Sequence, residues 1–212
     1  MKKTLVSSLI VVLCLFAPSA VADDVIRIAT FNIQTFGRTK IARPETTDVL
    51  VSIVQKYDIV AVQEIKDVRE EVADQFLAML GPGWAMSESP RTGQNADDRN
   101  SQEQYVFYYR TDRIAPLGDG ALFPDTNDQF QREPWTARFQ AVGGNFTFVL
   151  ANIHTRPDSA VEEISALDSV VVWARSHWPD EDDFIVLGDF NASCTYASDS
   201  ELAALPISGS DY

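Results

Sequence analysis

Cysteine and histidine are nearly absent from this 212-residue chain, with two of each. Zinc is therefore disfavoured, because a zinc site needs a cluster of those ligands. A disulfide scaffold is also excluded: Cys14 falls in a hydrophobic leader and leaves Cys194 as the lone thiol of the remainder. That thiol is either buried and free, or paired with a cysteine outside these residues. No apolar run is long enough to span a bilayer comfortably. The run Leu9 to Ala17 follows Lys2-Lys3 and precedes Ala20-Val21-Ala22, which is the pattern of a secretory signal peptide over residues 1–22. Basic residues are few, with 17 Lys and Arg against 31 Asp and Glu and a formal net charge of −14. Bulk electrostatics of that sign repel nucleic acid, but chemistry that works through a divalent cation and a few focused arginines stays open. Internal repeats, low-complexity segments and linkers are missing too, so residues 23–212 are expected to form one domain.

What is present is an alternation of short apolar runs with longer periodic segments. Val25 to Asn32 sets Ile26, Ile28 and Thr30 against Arg27, Ala29 and Phe31, the period-two pattern of a strand. Pro44 opens a helix carrying Val49, Leu50, Ile53 and Val54 at helical spacing, and Ile59 to Ile65 follows as a second strand. Arg69 to Leu80 reads as another helix with Gly81 as its stop. Residues 87 to 104 offer little to a core and read as a long polar loop facing substrate. Tyr105 to Arg110 is strand-like, and Trp135 to Ala141 pairs with Asn145 to His154 around Gly143-Gly144. Asp158 caps the clearest helix, with Glu162 and Glu163 in its first turn and an apolar stripe through Ile164, Leu167 and Val171. Phe184 to Asp189 is the last strand. Groups of strands separated by helices predict a layered α+β or α/β sandwich.

Four apolar strands share one habit, ending in turn at Asn32, Glu64, His154 and Asp189. Ligand crevices lie at strand ends in such sheets. If the four ends converge, they assemble carboxylates, amides including Asn191, and one imidazole. That hard-oxygen set suits Mg²⁺ or Ca²⁺ better than zinc. Any one of these residues alone has a plain reading as a turn or surface residue, and Asp189 followed by Asn191 makes a turn of its own. His177, near the end of the long helix, reads as structural.

Taken in chain order, these segments resemble the endonuclease/exonuclease/phosphatase superfamily, and within it the deoxyribonuclease I type. The resemblance rests on Ala29-Thr-Phe-Asn-Ile-Gln-Thr-Phe-Gly37, Asp58-Ile-Val-Ala-Val-Gln-Glu-Ile-Lys-Asp67, Asn100-Ser-Gln-Glu-Gln-Tyr-Val-Phe107, Arg132-Glu-Pro134 and Leu187-Gly-Asp-Phe-Asn-Ala192. It implies an α+β fold, a four-layer α/β/β/α sandwich, and a secreted metal-dependent endodeoxyribonuclease that hydrolyses DNA to 5′-phosphate products. It also implies catalytic Mg²⁺, with Ca²⁺ as a structural ion. By the same resemblance His154 is the catalytic histidine oriented by Glu103, and Glu64, Asn32 and Asp189 form the metal site. Arg132 and Asn191 contact substrate phosphate, while Lys66 takes the place of a groove-contacting arginine.

The departures from the family are specific. Its minor-groove tyrosine has no counterpart in Asn100-Ser-Gln-Glu103, and its small surface disulfide is missing from Leu122 to Gln131. The family pattern also continues past Tyr212, with a further histidine and the last strands of one sheet. On that reading the chain is truncated at its C-terminus, poorly stable and nearly inactive alone. Two alternatives follow. One is a sphingomyelinase-type phosphodiesterase, which residues 87 to 104 disfavour because they are polar and lack the aromatics of a membrane-binding loop. The other is a non-catalytic nucleic-acid-binding remnant.

Overall fold

Runs of β-branched and aromatic residues form the strands, and the periodic segments between them form helices that cover the strands. The computed structural model describes residues 25–93, 102–193 and 195–205. The expected signal peptide, the middle of the polar loop at 94–101, Cys194 and residues 206–212 lie outside those residues. Along the chain come β1 (Ile28–Phe36), α1 (Arg38–Ile41), α2 (Pro44–Val54), β2 (Ile59–Ile65), α3 (Val72–Leu80), β3 (Trp84–Glu88) and β4 (Gln104–Arg110). Then follow β5 (Ile114–Pro116), β6 (Ala121–Leu122), β7 (Trp135–Ala141), β8 (Thr147–His154), α4 (Ala160–His177), β9 (Phe184–Asp189) and α5 (Asp199–Ala203). No helix among the described residues is long and apolar enough to cross a membrane.

Two sheets carry the architecture, one ordered β1-β2-β4-β3 and the other β5-β7-β8-β9 with β6 on β7. Ile59, Ala61, Tyr105 and Phe107 meet Phe139, Phe148, Leu150 and Leu187 between the sheets and form the central core. On the outer face of the first sheet, Leu50 and Val54 of α2 and Phe76 and Leu80 of α3 pack on Val60, Val62 and Tyr108. On the outer face of the second, Ile164, Leu167 and Val170 of α4 pack on Ala151 and Ile153. The layers are therefore helix, sheet, sheet, helix, as expected. This arrangement explains why β2 and β8 are apolar without alternation, since both of their faces are buried. Phe76 is wholly buried, with its ring edge-on to Phe36 at 5.2 Å and to Tyr108 at 5.3 Å, so truncation there removes contacts on both sides.

β1 runs over Ile28–Phe36 rather than Val25–Asn32 and β8 starts at Thr147 rather than Asn145, and three further differences have a local reason. α3 starts at Val72 rather than Arg69 because the Asp67 carboxylate accepts the N–H groups of Arg69 (3.2 Å) and Glu71 (2.9 Å) and holds residues 67–71 in a turn. Asp158 does not cap α4. It lies in a single 3₁₀ turn, Pro157–Ser159, and Ser159 is the N-cap, without a side-chain hydrogen bond. The polar stretch 87 to 104 is not loop throughout. Its ends are tied by a bridge between Thr92 and Glu103, and Ser89, Thr92, Glu103 and Gln104 are all buried.

Candidate active site

Asn32 and Glu64 are not at strand ends. The parallel register pairs Asn32 with Gln63 and resumes at Phe36 with Ile65, so Ile33, Gln34 and Thr35 stand opposite Glu64 alone. Such a bulge bends the strand and re-aims its side chains. The backbone shows it: Gln34, Thr35 and Glu64 all sit at positive φ, at 48°, 52° and 62°. Non-glycine residues there cost on the order of 1–3 kcal/mol each and persist only where surrounding contacts fix them. Those contacts are present. Lys40 of α1 donates its ammonium to the Ile33 carbonyl at 2.9 Å and to that of Gln34, and Thr35 N–H donates to Glu64 Oε2 at 2.7 Å.

His154 and Asp189 end β8 and β9 and lie opposite each other in the parallel register. Gly188, at φ 157°, permits this approach, because a Cβ there would overlap the Ile153 carbonyl. Beyond Asp189 the chain turns. Asn191 takes φ 45°, and its N–H donates to Asp189 Oδ1 at 3.1 Å. Phe190 packs into the cluster beneath α4. The Asp189 and Asn191 pair is thus both a turn and part of the site.

All eight residues singled out in the sequence are brought together. Asn32 Nδ2 donates to Glu64 Oε1 at 3.0 Å and to Asp189 Oδ2 at 2.7 Å. His154 Nε2 lies 4.0 Å from each of those same two oxygens. On its other side, His154 Nδ1 meets Glu103 Oε1 at 2.6 Å, a contact that fixes the tautomer with the proton on Nδ1 when the ring is neutral. Glu103 is wholly buried. Burial alone would raise the pKa of Glu64, yet the Asn32 amide, the Thr35 N–H and the charges of Lys66 and His154 together hold it below the ordinary glutamate value.

Four residues are placed differently from their expected roles. Arg132 does not present its guanidinium to an open cleft. It is buried, with Nε and Nη2 donating to the His154 carbonyl at 3.1 and 2.9 Å and Nε lying 3.0 Å from Glu103 Oε1. Lys66 is not out on a groove wall, because its ammonium stands 3.8 Å from Glu64 and 3.9 Å from Glu103. Asn32 turns its oxygen to the Gln34 N–H at 2.7 Å, so it faces the carboxylates as a donor. Asn191 donates its amide to the Thr155 carbonyl at 2.8 Å.

Further residues complete the arrangement. Gln63 Nε2 donates to Asn152 Oδ1 at 2.6 Å and Asn152 Nδ2 to the Val62 carbonyl at 3.2 Å, a polar link between the sheets directly beneath the site. Tyr105, its phenol kept neutral by burial, accepts the His154 N–H at 3.0 Å. Thr155 N–H donates to the Asp189 carbonyl at 3.0 Å and locks β8 to β9. Gln63 and Asn152 carry a sequence signal, since each is an amide inside an otherwise apolar strand. Tyr105 carries none.

The donor chemistry fits a hard divalent cation. Two carboxylates face one another across a single amide donor, so positive charge between them is favoured. Among the described residues no group of three or more His, Cys, Asp or Glu side chains is placed to hold a metal ion by itself. A cation here would therefore keep much of its water, as Mg²⁺ does. An open cleft of about 370 Å³ beside these groups is lined by Thr30, Asn32, Gln63, Asp189, Asn191 and Tyr196.

The chain resembles known proteins in sequence and in fold. The sequence pattern of the Endonuclease/Exonuclease/phosphatase family matches residues 29–208. Human deoxyribonuclease-1-like 2 is 30% identical over 218 residues, covering 93% of this chain and 72% of that protein. Rat deoxyribonuclease-1 is 32% identical over 187 residues, covering 86% of this chain and 66% of its own length. Among solved structures, the human Nocturnin catalytic domain with bound sulfate superposes with a TM-score of 0.61 at 15% identity, covering 86% of this chain and 69% of that one. That likeness concerns the fold alone.

Proposed function

The chain belongs to the endonuclease/exonuclease/phosphatase family, in its deoxyribonuclease I type, and from that premise we propose that it is a metal-dependent endodeoxyribonuclease. One observation carries the reading. The His154 ring is held by Glu103 at Nδ1 and points its other nitrogen between Glu64 and Asp189, 4.0 Å from each. Glu64 and Asp189 are the residues that would hold Mg²⁺, whose charge would offset that on the non-bridging oxygens of a phosphodiester. Asn32 orients both carboxylates for that purpose. Water attacks phosphorus in line with the P–O3′ bond and releases its proton to solvent, and as the P–O3′ bond breaks His154 gives its Nε2 proton to the departing 3′-oxygen. Glu103 keeps the opposite nitrogen protonated and stabilises the imidazolium before transfer. Arg132 holds the His154 backbone, so the ring moves little during the step. The products are a 5′-phosphate and a 3′-hydroxyl. Export, expected from residues 1–22, belongs to the same proposal.

The test is nicking of supercoiled plasmid with Mg²⁺, followed over long incubation because these residues alone are expected to act slowly. Expected are 5′-phosphate ends, loss of nicking in chelator, and loss of at least about 10²-fold in His154→Ala. Nicking that continues unchanged in His154→Ala would refute the assignment.

A further inference from the structure

Glu163 lies in the first turn of α4, where an acid is usually a solvated complement to the helix dipole. Its neighbour Glu162 is of that kind and is exposed. Glu163 is instead 3% exposed, and each of its carboxylate oxygens accepts a backbone N–H from a different arm of the site. Oε1 takes the N–H of Gln131 at 3.0 Å, and Oε2 takes that of Arg156 at 3.2 Å. Gln131 immediately precedes Arg132, and Arg156 follows His154 by two residues. Arg132 closes the circuit by donating to the His154 carbonyl at 3.1 and 2.9 Å.

We propose that Glu163 is a positioning residue: its carboxylate bridges the arm carrying Arg132 to the arm carrying His154, and so sets where the imidazole stands relative to Glu103. It does not touch the reacting atoms. The geometry calls for a carboxylate because two N–H donors converge from opposite sides, and only an acceptor with two oxygens satisfies both. Glutamine would turn an NH₂ toward one of them, and alanine would leave both without a partner. Burial raises the pKa of Glu163, while the two N–H groups and the Arg132 and His154 charges act to lower it. The same groups that it positions therefore favour its ionised form.

The kinetic consequence rests on the nuclease reading, but the geometric one does not, and the experiment separates them. His154 and His177 are the chain's only histidines, and His177 lies at the far end of α4. Their ring ¹H–¹⁵N signals are recorded at one pH in the full chain, in Glu163→Ala, in Glu163→Gln and in Glu162→Ala. Both Glu163 variants are expected to shift the His154 signals and leave those of His177 in place. They are also expected to lower kcat on a DNA oligonucleotide about tenfold, with KM changed less than about twofold. Glu162→Ala changes neither. Should Glu163→Ala fail to fold by circular dichroism, the near-isosteric Glu163→Gln decides. Unmoved His154 signals in a folded Glu163→Gln chain overturn the proposal, whatever its activity. Moved signals in a chain whose parent cleaves no DNA leave the positioning role standing and remove the nuclease reading.

Discussion

Glu103 uses its two oxygens unequally. Oε1 takes both His154 Nδ1 at 2.6 Å and Arg132 Nε at 3.0 Å, while Oε2 has no hydrogen-bond partner among the described residues and faces the Lys66 ammonium at 3.9 Å. Its charge is thus shared among three cationic or cation-forming groups. Glu103→Gln keeps the shape and removes that charge, so the imidazolium loses its stabilising partner. Turnover on DNA should fall about 10²-fold, while affinity, measured by fluorescence anisotropy, should fall much less. An equal loss in both would place Glu103 in binding instead. Glu64 sets a pH dependence. Its folded-state pKa lies below the ordinary 4.5, so its contribution to stability is complete above that value and is lost as pH falls through the folded-state value. Glu163 acts with the opposite sign: its raised pKa gives stability that is complete below 4.5 and lost as pH rises through the folded-state value. Glu64→Gln should therefore flatten the acid limb of a urea-stability profile, and Glu163→Gln should not.

At the scale of elements, the site depends on a mismatch between two strands rather than on where they end. Periodicity identified β1, β2, β8 and β9 and the polar residue of each that matters. It did not show that Asn32 and Glu64 lie inside strands, because a bulge is a property of pairing and Ile33 to Thr35 look like ordinary strand residues until Gln63 and Ile65 stand opposite them. The roles of Arg132 and Lys66 were hidden for a related reason. A cation in a sequence looks available for phosphate until its acidic partner, here Glu103, is brought in from a distant strand. Helix ends were misread where side chains compete for backbone N–H groups, as Asp67 does. The Gln63 and Asn152 link between the sheets gives a prediction. Both are wholly buried; Asn152 Oδ1 takes its hydrogen bond from Gln63 Nε2, which also donates to Thr30 Oγ1 at 2.9 Å and to the Ala61 carbonyl at 3.1 Å. Gln63→Leu should cost about 1–3 kcal/mol in urea unfolding, because it leaves the Asn152 oxygen without a donor, and Asn152→Leu should cost less, because Gln63 keeps two acceptors. The double variant should cost less than the two losses added together, a coupling that a thermodynamic cycle measures. Strict additivity would mean that the two amides act separately.

At the scale of the whole molecule, the charge has to be reconciled with the polyanionic substrate proposed for it. The chain carries −14, and Lys66 and Arg132 already face the acids Glu64 and Glu103. Neither is then free to displace counterions from DNA without giving up those contacts. If the proposed divalent ion sits at Glu64 and Asp189, binding should depend on it and on only a few direct phosphate contacts. Two effects of monovalent salt oppose each other. Release of counterions at those contacts weakens binding as salt rises, by a slope of roughly −0.9 per contact in log affinity against log salt. Screening of the negative surface relieves repulsion over the same range. For His154→Ala, which binds without cleaving, the net slope at fixed Mg²⁺ should be shallow, about −2 or weaker. Without Mg²⁺, anisotropy should detect no binding in the micromolar range. A slope steeper than about −5, or binding indifferent to Mg²⁺, would mean that many direct phosphate contacts, rather than the ion, hold the DNA.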